Sequence, residues 1–240
     1  MYLLLFIIFI VILFTIASLT YSRQGASPLV LIFLGPPGSG KGTQAQKIAQ
    51  AKNIPHISTG EMIRKQIEKK TPLGLQAKEI VESGAYVSDD LIIEMLLDRI
   101  AHKDCQEGYL LDGFPRTIHQ AETLLSRFEK GIRPKVVNFK IDENILLERL
   151  TGRLTCRACG AIAHKIFSPP LKEGVCDSCG GELYQRADDQ MESVKQRLKV
   201  YEEKTAPLVG YFKEHKMLLE LDASKSPEAV FLELEKLISR

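Results

Sequence analysis

Gly35-Pro36-Pro37-Gly38-Ser39-Gly40-Lys41-Gly42-Thr43 follows the apolar run Leu29-Val30-Leu31-Ile32-Phe33-Leu34 and precedes Gln44-Ala45-Gln46-Lys47-Ile48-Ala49. The run reads as a buried strand and the segment after the glycines as a helix. Together they predict a strand, a tight turn and a helix N-terminus, the arrangement that cradles phosphate. Glycine lets backbone N–H groups close around the anion, and the helix start adds partial positive charge. Lys41 can neutralise the outer phosphates. Gly35, Pro36, Gly38, Ser39, Gly40, Lys41, Gly42 and Thr43 are thus the candidate polyphosphate-binding residues.

The general form of this loop places Ser or Thr directly after the lysine, where the hydroxyl binds magnesium. Here Gly42 holds that place and Thr43 comes one later. Either magnesium is held mostly by water, phosphates and a carboxylate, or Thr43 serves instead. The variant points to nucleotide kinases rather than to GTPases or motor ATPases.

Outward from the loop, five runs read as buried parallel strands: Leu29–Leu34, Ile54–Ile57, Tyr109–Leu111, Val136–Ile141 and Met217–Leu221. Helical patterns lie between them, the alternation of a doubly wound α/β sheet. Ser58-Thr59-Gly60-Glu61 reads as a capping box, Ser88 and Asp142 as further caps, and Ser226-Pro227-Glu228 as the start of the last helix. Arg153 to Arg186, rich in Cys, Gly and Pro, breaks the rhythm and reads as an insertion. From Asp188 a long charged helix is expected to resume.

That insertion carries Cys156-x-x-Cys159 and Cys176-x-x-Cys179, sixteen residues apart. Two such knuckles predict a tetrahedral zinc site of four thiolates, structural because no coordination position stays open. A disulfide or redox reading is the alternative, and a reducing cytoplasm disfavours it. Gly160 and Gly180-Gly181 follow the pairs, where the chain must turn so that amides face the sulfurs. Cys105 stands alone and reads as a buried small residue.

Tyr109-Leu110-Leu111-Asp112 is an apolar strand ending in a carboxylate, the place of a magnesium-linked aspartate beside a phosphate loop. It runs into Gly113-Phe114-Pro115-Arg116-Thr117, which puts Arg116 at the carboxyl edge of the sheet, where α/β ligands bind. Arg64, Arg116, Arg149, Arg153, Arg186 and Arg197 all fall near turns or flank the insertion. A loose phosphoryl-transfer transition state needs such charge more than it needs covalent chemistry.

Composition sets the bounds. The 240 residues, 45% apolar and 26% charged, suffice for one large core plus an insertion. A net charge of +2 argues against a general nucleic-acid binder, and no nucleic-acid partner is expected. Leu3 to Leu19 is almost wholly apolar, has no basic residue before it, and is followed by Arg23. Residues 1–22 therefore read as an apolar helix and membrane anchor, with contact through 3–19, the catalytic part in the cytoplasm, and 23–28 as linker. A cleaved leader and a mis-called start codon are the alternatives.

From Leu29 to the C-terminus the chain resembles the bacterial adenylate kinases of the long, zinc-lid type. The matching pieces are Gly35–Thr43, His56–Arg64, Thr71-Pro72-Leu73-Gly74, Asp112–Thr117, Glu148–Arg153, the two knuckles, and Tyr184–Asp189. The resemblance implies a phosphate-loop core of five parallel strands over 29–57, 88–151 and 190–240. It adds a helical NMP-binding domain over 58–87 and a zinc-ribbon-like β lid over 152–189. It implies the reaction MgATP + AMP ⇌ 2 ADP by direct in-line transfer, with structural Zn2+, Mg2+ carried with ATP, and a monomeric enzyme. By position, Lys41, Asp112, Arg116, Arg153, Arg186 and Arg197 would be catalytic. Arg149, Arg153, His164, Ala223 and Lys225 would join the loop on ATP. Thr59, Arg64, Val87, Gly113, Arg116, Gln120, Arg186 and Arg197 would contact AMP. Asp188 and Asp189 would help lock the lid.

There are departures. Ile162-Ala163 precede His164 where the family often has an aromatic, and Ala223 stands where it commonly has Gly. Two alternatives stay open: another nucleoside monophosphate kinase, of UMP/CMP type, and a membrane-tethered zinc-ribbon module whose loop only binds nucleotide.

Overall fold

The computed structural model describes residues 27–129 and 131–239. The expected N-terminal helix and anchor fall outside them. No helix among the described residues is long and apolar enough to cross a membrane.

In chain order the phosphate-loop unit comes first: strand β1 (Leu29–Leu34) and helix α1 (Lys41–Lys52). Strand β2 (His56–Ser58) leads into helices α2 (Thr59–Glu68), α3 (Pro72–Glu82) and α4 (Asp89–Ile100). Then come β3 (Gly108–Asp112), α5 (Ile118–Ser126), β4 (Lys135–Lys140) and α6 (Glu143–Thr151). The cysteine-bearing insertion holds β5 (Arg153–Cys156), β6 (Ile162–His164) and β7 (Leu183–Tyr184). Helices α7 (Met191–Val200) and α8 (Pro207–Glu214), strand β8 (Leu218–Asp222) and helix α9 (Pro227–Ile238) complete the chain.

The main sheet has the order β2-β3-β1-β4-β8, every pair parallel. Its centre is β1, buried on both faces as a parallel strand must be. Val30, Ile32 and Leu34 pack into one apolar cluster with Leu111, Phe114 and Val136. Leu31 and Phe33 pack into the other with Leu110, Val137 and Phe139. That alternation is the period of two read through a continuous apolar run. The loops that carry chemistry leave the carboxyl ends of β1, β2 and β3 at one edge, as expected for an open α/β sheet.

Several local expectations are corrected. The second strand begins at His56 rather than at Ile54, because Pro55 has no N–H to give a ladder. Ser58 does not cap α2: it is still extended (φ −104°, ψ 109°) and paired with Asp112, and its hydroxyl makes no capping bond. Ser88 likewise precedes α4 without a side-chain cap. Asp142 does cap α6, accepting from the Asn144 N–H, and Ser226 caps α9 through Ala229. At Asp188 the chain is in a short 3-10 turn (Ala187–Asp189), followed by α7, a π-turn over Tyr201–Thr205, and α8. Pro207 enters at the first turn of α8, the one helical place where a missing N–H costs nothing.

Candidate active site

Three pieces meet over the carboxyl edge of the main sheet: the loop after β1, the α2–α3 hairpin, and the antiparallel sheet β6-β5-β7. They enclose a cavity of about 1020 Å³, large enough for two small polyanionic ligands. Lys41 and all six arginines singled out above line it: Arg64, Arg116, Arg149, Arg153, Arg186 and Arg197.

In the loop Gly35, Gly38 and Gly40 take φ of +138°, +85° and +90°, values that side chains with a Cβ rarely adopt. Lys41 Nζ donates to the carbonyls of Gly35 (2.6 Å) and Pro36 (2.7 Å) and to Ser39 Oγ (3.2 Å). Desolvation pushes its ammonium down to about 7; Asp112 pulls it up, and Arg116, Arg197 and Arg153 push it further down. An anion arriving here would find three arginines and a lysine whose mutual repulsion it relieves.

Asp112 closes β3 within reach of that lysine. Burial would raise its carboxyl, but His56, Lys41 and Arg116 outweigh burial and hold it below the usual carboxylate range. His56 Nε2 lies 3.5 Å from Asp112 Oδ2, brought there by the parallel register of β2 on β3. The bare position after the lysine lies close under the insertion. A Cβ on Gly42 would lie 3.3 Å from Ile162 Cδ1 of β6 and 3.4 Å from Asp112 Oδ2.

On the α2 side, Arg116 is tied at three points. Its N–H donates to Gln120 Oε1 (2.7 Å), its Nε–H to the Gly113 carbonyl (2.8 Å), and its own carbonyl accepts from Thr205 Oγ1 (2.9 Å). Thr59 Oγ1 also donates to Gly113 O (2.8 Å). Arg64 projects from α2 toward Asp188; burial weakens its hold on a proton and Asp188 strengthens it.

The two roots of the insertion are joined by buried charge. Arg153 grips Asp189 with both Nε (2.8 Å) and Nη2, and Arg197 Nη1 donates to Asp189 Oδ1 (3.0 Å) and to the Asp188 carbonyl (2.9 Å). Asp189 is wholly buried. Asp188, raised by burial, is pulled below the usual range by Arg197, Arg153, Arg64 and Arg186. Arg186 Nε donates to Thr155 Oγ1 (2.9 Å), and burial plus Arg153 and Arg64 pushes its guanidinium down to about 9.

The remaining expected residues divide. Val87, Gly113, Ala223 and Lys225 line the cavity. Arg149 donates to the Ala223 carbonyl (3.4 Å), and Lys225 to Glu233 (2.7 Å). His164 also lines it, but both ring nitrogens are engaged. Nε2 bonds the Glu148 carbonyl (3.1 Å), which can only accept, so Nδ1 accepts the N–H groups of Ile166 and Phe167 (3.0 Å each). Thr59, Gln120 and Pro36 sit behind the lining. Gln120 holds Arg116 on one side and donates to Asp89 (2.8 Å) on the other.

Sequence reasoning missed Tyr86, Glu61, Gln46, His56, Phe167 and Thr205, which all line the cavity. Phe167 puts an aromatic ring 4.6 Å from His164, four residues past Ala163, where one was sought. Gln46 of α1 donates to the Gly160 carbonyl (3.2 Å), tying the insertion to the helix of the phosphate loop.

The four cysteine sulfurs lie within 4.8 Å of one another. Cys156 and Cys179 are 3.5 Å apart, Cys159 and Cys176 3.7 Å. A disulfide needs about 2.05 Å, whereas a tetrahedron with zinc–sulfur bonds of about 2.3 Å has edges near 3.8 Å. Amides of Cys159 and Ala158 face the Cys156 sulfur and, with the neighbouring thiols, push its thiol down to about 6. Four soft donors at that spacing suit a structural metal such as zinc.

A family model described as adenylate kinase matches residues 33–217. A protein named adenylate kinase from Carboxydothermus hydrogenoformans is 50% identical over 212 residues, covering 88% of this chain and 99% of that protein. One from Geobacter sulfurreducens is 47% identical over 211 residues, covering 87% and 97%. One from Archaeoglobus fulgidus is 45% identical over 213 residues, covering 88% and 98%.

Proposed function

We propose a reaction and its residue roles from one premise: this chain belongs to the adenylate kinase family. It is a nucleoside monophosphate kinase that moves a phosphoryl group from MgATP to AMP, giving two ADP. The observation that carries the residue roles is the convergence of Lys41 and six arginines on one cavity, from the phosphate loop, α2, the loop after β3, α6, both roots of the insertion and α7.

In this reading the loop from Gly35 to Thr43 wraps the ATP phosphates, with Arg149, His164, Ala223 and Lys225 along the nucleotide. Arg64 and Arg116 grip the AMP phosphate, and Thr59, Val87, Gly113 and Gln120 shape that side. Lys41, Arg153, Arg186 and Arg197 surround the point where the group changes hands and stabilise its spread charge. The acceptor is already an anion, so no general base is needed. Magnesium, arriving with ATP, screens the phosphates, and ionised Asp112 is placed to accept hydrogen bonds from its water shell. The β6-β5-β7 piece serves as a lid that keeps water from the transferring group, and the four cysteines hold zinc that staples its fold. Residues 3–19 tether the enzyme to the inner face of a membrane, which fractionation of native cells would test: a soluble full-length chain would refute it.

The test of the reaction is turnover with ATP and each of AMP, CMP, UMP and GMP. AMP should be the fastest acceptor by a wide margin. A preference for CMP or UMP would replace this reading with a pyrimidine nucleotide kinase, and ATP binding without turnover would leave only a binding module.

A further inference from the structure

Tyr86 lies in the connection between α3 and α4, beside Val87, and no feature of the sequence marked it. Its ring sits 4.8 Å from the Arg116 guanidinium, face on. Its hydroxyl lies 3.0 Å from Thr205 Oγ1, and that same hydroxyl of Thr205 donates to the Arg116 carbonyl at 2.9 Å. A threonine hydroxyl has one proton to donate, so its oxygen must accept from Tyr86. The direction is fixed: Tyr86 O–H to Thr205 O–H to Arg116 C=O.

One tyrosine therefore holds Arg116 at both ends. The guanidinium carbon sits over the ring face, and the hydroxyl relay fixes the peptide behind it. The other bonds of Arg116, from its N–H to Gln120 and from Nε to Gly113, fix its backbone and one edge of the fork. The ring adds a contact over the guanidinium carbon. Nη1 and Nη2 make no hydrogen bond among the described residues, so they can take a ligand anion in the cavity that Arg116 lines. Thr205 belongs to the π-turn that continues α7, the helix of Arg197, so the relay also ties two phosphate-facing arginines to one support.

We propose that Tyr86 is a positioning residue that presets the Arg116 fork for the monophosphate and thereby sets the affinity for AMP. This rests on the reading above that Arg116 grips the AMP phosphate. A ring pre-placed against a guanidinium lowers the ordering cost of binding, which appears in the affinity for the anion and not in the affinity for the other substrate.

The experiment uses the full chain with Tyr86→Leu, Tyr86→Phe and Arg116→Met, measuring AMP and ATP dependence of turnover, inhibition by adenosine, and thermal melting. Tyr86→Leu should raise KM for AMP by roughly three- to thirtyfold, the worth of a cation–π contact. KM for ATP, turnover at saturating AMP and the melting temperature should stay near wild type. Tyr86→Phe, which keeps the ring, should recover most of the loss. Adenosine, which lacks the phosphate, should inhibit wild type and both tyrosine variants alike. If Tyr86→Leu leaves KM for AMP unchanged while Arg116→Met raises it steeply, the proposal falls and the reading of Arg116 stands. If Arg116→Met binds AMP like wild type, that reading falls and takes the proposal with it. A joint loss of both substrates with a lowered melting temperature would make Tyr86 structural only. Weakened adenosine inhibition would place the ring against the base. Either outcome overturns the proposal.

Discussion

The main sheet and the cysteine-bearing insertion hold themselves together by opposite means. The sheet buries long aliphatic and aromatic side chains on both faces of β1, with Leu31, Ile32, Leu110, Leu111 and Val137 fully out of water. The buried cluster of the insertion is Cys156, Cys176 and Leu183 alone, with a few half-buried neighbours. Such a piece is far too small to fold on apolar burial; four sulfurs, one buried ion-pair knot at its roots and a handful of backbone turns take the place of a core. The sheet can hold a loop rigid, whereas the insertion keeps its shape through point fastenings. The cations that line the cavity are split accordingly: Lys41 and Arg116 stand just past strands of the sheet, Arg153 and Arg186 on the insertion's roots.

If that contrast is right, removing metal should produce the largest effect and confine it to one side. Structural zinc in small domains contributes on the order of 10 kcal/mol of folding free energy. Protein purified without added metal should contain one zinc per chain. Chelation should then melt the insertion in a separate, early transition while the sheet keeps its cooperative unfolding. Calorimetry that found a single transition at the original temperature, or mass spectrometry that found disulfides instead of zinc, would collapse the contrast.

The ion-pair knot tests the roots. Asp189 is wholly buried between Arg153 and Arg197. Asp189→Ala leaves two guanidinium groups without their carboxylate, which should cost about 3–5 kcal/mol. Denaturant melts would measure it, and a loss below 1 kcal/mol would show that the roots do not depend on this knot.

On the sheet side the expected effect is chemical. Lys41→Met should lower turnover by on the order of 10²–10³ and leave the fold intact, as circular dichroism and melting would report. Its stability should even change in a predictable direction. The folded pKa of Lys41, about 7, lies below the ordinary 10.5. Between those values the unfolded chain binds more protons, so wild-type stability without nucleotide should rise with pH across that window. The slope should shrink in Lys41→Met; an unchanged slope would mean that other groups carry it.

The smallest change probes the seam between the regions. Gly160 has φ +73°, and a Cβ there would lie 3.4 Å from Glu61 Oε1 of α2. Gly160→Ala should cost about 1–2 kcal/mol in the insertion, the penalty of a left-handed residue with a Cβ. It should also raise KM for both nucleotides a few-fold. If KM does not move, the insertion closes without using this turn.

What could be read in the chain follows the same division. The strands, the phosphate loop, Asp112 and the paired cysteines are contiguous or regularly spaced, so pattern and spacing reach them. The six arginines were legible as a surplus of charge near turns, and the resemblance assigned each to ATP or AMP. Tyr86, Gln46, Glu61 and His56 escaped because their partners lie on other elements. His56 meets Asp112 only through the register of two parallel strands, and Gln46 meets Gly160 across 114 positions. His164 shows the converse. Its type suggested a ligand contact, yet its nitrogens tie β6 to the end of α6 and to the turn that follows.

The empty place at Gly42 carries a consequence for waste. Ile162, from the insertion, puts its Cδ1 3.3 Å from where a Cβ at position 42 would lie. A side chain there would press on this roof, which would have to give by a few tenths of an ångström. An enzyme that must hand its phosphoryl group to a second nucleotide, and never to the solvent, has reason to keep the roof seated. Gly42→Ser should push the roof outward and let ATP leak to water. The measure is inorganic phosphate released per ADP formed, which should rise even where total consumption of ATP barely changes; an unaltered ratio would mean that the seal lies elsewhere.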